Sequence, residues 1–84
     1  MNEADRSLEV LNELVEVDSE NASNFRRRAD LLLSFQNYAQ ALEDLQTAKT
    51  LAKHSGNSKE MLLIKQSVAK LHILQSQDSY WAID

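Results

Sequence analysis

Asn21-Ala-Ser-Asn-Phe-Arg-Arg-Arg-Ala-Asp-Leu-Leu-Leu-Ser-Phe-Gln-Asn-Tyr-Ala-Gln-Ala-Leu-Glu-Asp-Leu-Gln-Thr-Ala48 reads as two helices with a very short break between them. In the first half Phe25, Ala29 and Leu32 recur at i, i+4 and i+7, one face of a helix from about Ala22 to Ser34. Leu31, Leu33 and Phe35 add apolar area on the flanks, so this helix needs neighbours on two sides. Gln36-Asn37 is the break, and a connection this short sends the next helix back antiparallel. That helix runs from about Tyr38 to His54 and buries Tyr38, Ala41, Leu45, Ala48 and Ala52, joined by Leu42. Lys49, Lys53 and His54 favour its carboxyl end, where the helix dipole is negative, and Gly56 supplies a left-handed stop.

The periodicity extends outward on both sides. Upstream, Leu8, Leu11, Leu14 and Val15 predict a helix from about Glu3 to Val17, with Val10 and Val17 widening its stripe. Asp5, Glu9, Glu13 and Glu16 form its solvated face, and Asp18-Ser19 ends it. Downstream, Met61, Ile64, Val68 and Leu71 predict a fourth helix from about Ser58 to Gln77, flanked by Leu62, Ala69 and Ile73. Asn57 and Glu60 stand at capping-box spacing before it. Asp78-Ser79 predicts a second break, after which Tyr80-Trp81-Ala82-Ile83-Asp84 opens a further element.

Eighty-four residues bound the chain to one domain with a modest core. At 43% hydrophobic and 26% charged it is too apolar for disorder. With no Pro and one Gly it cannot punctuate many β-turns, so an all-α fold is expected. A net charge of −4 argues against nucleic acid and anionic membrane as partners. The chain has no Cys, hence no disulfide framework and no thiolate nucleophile. Its first residues lack the order of a signal peptide and no apolar run reaches the ~20 residues of a span, so a cytoplasmic location is expected. Asn21-Ala22-Ser23 matches a glycosylation acceptor by chance in that setting.

A shift of 34 residues sets Leu8 on Leu42, Glu9 on Glu43 and Leu11 on Leu45, with Ser7 on Ala41 and Leu14 on Ala48. The stretch from Asp18 to Phe25, the small Ala29, and Gln36-Asn37-Tyr38 followed by Ala41, Leu45 and Ala48 resemble a tetratricopeptide repeat. Phe25 stands for that family's Trp, Ser19 and Lys53 for its prolines, Gln36 for its turn glycine and Arg28 for a Leu. The resemblance implies a single domain over 1–84: a half-repeat at about 3–20, a full repeat at about 22–54 and an elongated partial repeat at about 58–84. It further implies antiparallel hairpins stacked as a short right-handed solenoid of about four helices. Such arrays serve as scaffolds or adaptors that dock another protein or peptide in a concave groove. Carried onto this chain, that groove holds Ser23, Arg26, Asp30 and Ser34 with Leu33 from helix two, and Lys65, Val68, His72 and Gln75 from helix four. Its partly basic character suits an acidic peptide. The family's clamp for a C-terminal carboxylate is not supported, because Arg27 stands at the Asn place and Val68 and His72 at the basic ones.

The alternative reading is structural: the unpaired half-repeats at either end join a second copy, with Tyr80 and Trp81 as self-association residues and a homo-oligomer as the product. Catalysis has little to work with. His54 and His72 lie on different helices with no metal-binding partner at ligand spacing, so no metal or other cofactor is expected. Glu43 and Asp44 are adjacent and point apart, and one Gly leaves no phosphate cradle or nucleophile elbow. Arg26-Arg27-Arg28 spread over about 200° of a helix, which divides them among different tasks. Arg26 is assigned to the groove and Arg27 to solvent, while Arg28 either pairs with a carboxylate or lays its stem over the core.

Overall fold

Most of the helix boundaries have a local cause. In the computed structural model, which describes residues 2–82 and side chains as far as Asp78, the elements are α1 (Glu3–Val17), α2 (Ala22–Ser34), α3 (Tyr38–Ser55) and α4 (Ser58–Ala82). The Asn2 side chain accepts the amide of Asp5 at 2.8 Å to start α1, and Asn21 accepts that of Ser23 at 3.1 Å to start α2. The α2–α3 break is a Schellman turn: the amides of Gln36 and Asn37 bond back to Leu33 and Leu32, with Gln36 left-handed at φ 62°. The α3–α4 break repeats it, Gly56 sitting at φ 67° while the Asn57 amide reaches the Ala52 carbonyl. Asn57 then accepts the Glu60 amide at 3.0 Å and starts α4.

The expected break at Asp78-Ser79 is corrected: α4 continues through it to Ala82. Asp unsettles a helix when its carboxylate competes for nearby backbone amides. Here the Asp78 carboxylate instead accepts the Tyr38 hydroxyl from the start of α3. Of the separate element expected from Tyr80 onward, Tyr80, Trp81 and Ala82 belong to the last turn of α4, and Ile83 and Asp84 lie outside the described residues.

The core lies between α2, α3 and α4. Ala29, Ala41, Ala48 and Ala52 are fully buried, which brings the α2 and α3 axes close, and Leu33, Leu45, Ile64 and Leu71 fill the remaining space. Phe25 and Tyr38 pack against this cluster, so the two halves of the opening stretch face each other. α1 touches α2 alone, and of its apolar residues only Val15 is buried, while Val10 and Val17 are exposed. α2 also touches α4, which rests on α3 as well. The described chain is a slab of 44 × 32 × 16 Å, the short side matching two helix layers about 10 Å apart.

Candidate docking surface

Three polar links hold the helices in register. The first ties α2 to α4. Arg26 donates from Nε to the Glu60 carboxylate, stands 3.6 Å from Asp30 Oδ2, and has a side chain only 16% exposed. Ser67 donates from Oγ to the other Asp30 oxygen at 2.7 Å. Glu60 therefore completes only half of a capping box: its amide is capped by Asn57, but its carboxylate goes to Arg26.

The second link ties α1, α2 and α3. Arg28 grips Asp44 through two hydrogen bonds, sends Nη1 to Asn12 Oδ1 at 3.3 Å and rests 5.8 Å from the Phe25 ring centroid. The bond to Asp44 raises the Arg28 pKa; burial opposes this and the Asp44 charge adds to it. Of the two roles open to Arg28, carboxylate pairing is the one observed. The third link is the bond from Tyr38 to Asp78, which raises the Tyr38 pKa, with burial and the carboxylate charge adding to it.

Beside the first link lies an open hollow of about 250 Å³ lined by Arg26, Asp30, Leu63, Gln66, Ser67 and Lys70. Its walls come from two helices, so a guest would be gripped from both sides. Ser23 is half-buried and Ser34 exposed on the same side of α2 as Asp30, by their helical spacing. The Ser34 hydroxyl bonds to the Leu31 carbonyl at 2.6 Å.

The α4 residues assigned to the groove fall elsewhere. Lys65 lines a smaller hollow of about 160 Å³ with Lys49, Met61, Ile64 and Val68, between α4 and α3. His72 is exposed two turns beyond Lys65, and Gln75 is exposed two turns beyond Val68. Arg26 and Asp30 thus share the α2–α4 hollow with Ser23 and Ser34 on the same side of α2, whereas Lys65 lines the α3–α4 hollow and His72 follows it by helical spacing. The side chains of Tyr80 and Trp81 lie outside the described residues.

Sequence reasoning missed Leu63, Gln66, Ser67 and Lys70, although a signal for three of them exists. Ala22, Ala29 and Leu33 recur forty residues later as Leu62, Ala69 and Ile73, because the α3–α4 repeat is longer than the 34-residue beat. That same shift carries Ser23 to Leu63, Arg26 to Gln66 and Asp30 to Lys70. A larger hollow, about 590 Å³ along Lys49, Thr50, Lys53 and His54, is lined by α3 residues alone.

Chemically, the α2–α4 hollow offers hydrogen bonds, one ammonium at Lys70 and the apolar stem of Leu63. Among the described residues, no cluster of His, Asp or Glu is placed to hold a metal ion, and no helix is long and apolar enough to cross a membrane. Comparison with protein-family models, with curated proteins and with solved structures finds no match.

Proposed function

We propose that this chain is a non-catalytic docking module, a short right-handed stack of antiparallel hairpins of the kind tetratricopeptide repeats form. It holds a segment of another protein along the α2–α4 face. The observation that carries the reading is the two-walled hollow between Arg26, Asp30, Leu63, Gln66 and Lys70. The pattern of helix contacts supports it: α2 and α4 touch while α1 and α3 do not, so the layer of α2 and α4 is the inner, tighter one. A stack that closes up on one layer and opens on the other is concave on the first.

Arg26 is not free to bind a guest, being held by Glu60 and Asp30. The contacts left for a peptide are Ser23, Gln66 and Lys70, with Leu63 for an apolar side chain. Lys70 supplies the attraction for an acidic group. Panning the whole chain against a phage-displayed library of linear peptides tests this. Enriched peptides are expected to carry a carboxylate and to lose binding to Lys70→Glu. Peptides that ignore Lys70→Glu and Asp30→Lys but are lost on Lys53→Glu would place docking on the outer face of α3 instead.

A further inference from the structure

The core face of α2 contains Ala22, Ala29 and Leu33, all buried in the cluster that includes Ala41, Leu45 and Ala48 of α3. Its counterpart on α4, forty residues on, is Leu62, Ala69 and Ile73, and this one is open: Leu62 is 59% and Ile73 58% exposed. Among the described residues α4 therefore repeats half of a hairpin, and no helix packs on this side of it.

α1 presents that other half. A 34-residue shift sets its Ser7, Leu11 and Leu14 on Ala41, Leu45 and Ala48, the α3 residues that close on α2. In α1 these residues line an open hollow of about 400 Å³ together with Arg6, Val10 and Arg27. Val10 and Val17, a helical repeat apart, extend the same exposed stripe.

Charge favours joining the two. α1 carries Glu3, Asp5, Glu9, Glu13 and Glu16 against one Arg6, whereas α4 exposes Lys59 and Lys65 on either flank of the Leu62 stripe and holds its carboxylates Glu60 and Asp78 on Arg26 and Tyr38. In an antiparallel pair, Lys59 and Lys65 near the start of α4 come to the end of α1, where Glu13 flanks the Val10–Val17 edge of the stripe.

We infer that α4 of one copy seats α1 of a second copy on Leu62, Ala69 and Ile73, head to tail, remaking between chains the hairpin that α2 and α3 make within one. The contact joins two different surfaces, so each added copy leaves one of each free and the assembly grows as an open row. It uses neither Asp30 nor Lys70 and is independent of docking on the α2–α4 face.

Sedimentation velocity over a concentration series tests it on the whole chain. The average mass is expected to rise past that of a dimer without a plateau, and to fall as salt screens the lysine–glutamate pairs. Leu62→Glu with Ile73→Glu spoils the α4 face, and Val10→Lys with Val17→Lys spoils the α1 face. All four sites are exposed, and circular dichroism should show the helices intact. Each double variant alone is expected to be a monomer, self-association weakening more than tenfold. Mixed in equal amounts, they are expected to form a heterodimer and stop there, since one sound face remains on each. Three results would overturn the inference: a wild-type chain monomeric throughout, a plateau at dimer that survives either double variant, or a mixture that stays monomeric.

Discussion

Arg28 and Asp44 meet across the α2–α3 interface with both carboxylate oxygens engaged, Nε to Oδ2 at 2.8 Å and Nη2 to Oδ1 at 2.7 Å. Asp44 is 4% exposed, so this carboxylate has no water to replace a lost partner. Removing one member of such a pair strands a buried charge, at a cost of about 3–5 kcal/mol. Arg28→Ala is expected to lower the urea midpoint sharply and the melting temperature by more than about 10 °C. Arg28→Met combined with Asp44→Leu should recover most of that loss. A single Arg28→Ala within about 0.5 kcal/mol of wild type would show that the pair is not structural.

Gln36 carries a side chain into left-handed backbone, where a Cβ costs about 1–2 kcal/mol. Gln36→Gly relieves that strain and loses part of the gain to the greater freedom of glycine in the unfolded chain. The expected net is a stabilisation of about 0.5–1 kcal/mol, read as a higher urea midpoint with an unchanged slope.

Gly56 shows the opposite case at the equivalent turn. A Cβ built there meets no atom within 4 Å, so Gly56→Ala is resisted by backbone conformation alone at φ 67°. The expected destabilisation is about 1 kcal/mol. A neutral result would mean that this turn relaxes out of the left-handed region.

Three of the four helices were legible to within a residue because their cues are local. Asn21 caps, the Gln36-Asn37 break closes as a turn, and the alanines of α3 fall on one face. The end of α4 was not legible, because what keeps Asp78 from breaking the helix is a hydroxyl on Tyr38, far upstream. The α2 residues assigned to the groove came from the resemblance to a tetratricopeptide repeat, and helical spacing sets them on one side of α2. The α4 half of the docking surface depends on how α4 is rotated against α2, and a link longer than the internal beat changes that rotation. The pairing of Arg26, assigned to the groove, was hidden for the same reason: Glu60 reads as a capping residue until the fold sets it beside Arg26.

The bond from Tyr38 to Asp78 gives stability a dependence on alkaline pH. The Tyr38 pKa lies above its ordinary value of 10.0, so the folded chain holds this proton more tightly than the unfolded one. The contribution is complete below the unfolded value and is lost as pH rises through the higher folded one. Wild type is therefore expected to lose stability above pH 10 more steeply than Tyr38→Phe, while Tyr38→Phe is the weaker of the two at neutral pH. Parallel urea midpoints for both across that range would exclude the link.

Amide chemical-shift mapping of the whole chain, titrated with a peptide selected by panning, tests the docking proposal most directly. Shifts are predicted along Ser23, Asp30, Leu63, Gln66 and Lys70, on both walls of the α2–α4 hollow. Shifts confined to Lys49, Thr50, Lys53 and His54 on α3, with those five residues unmoved, would contradict it.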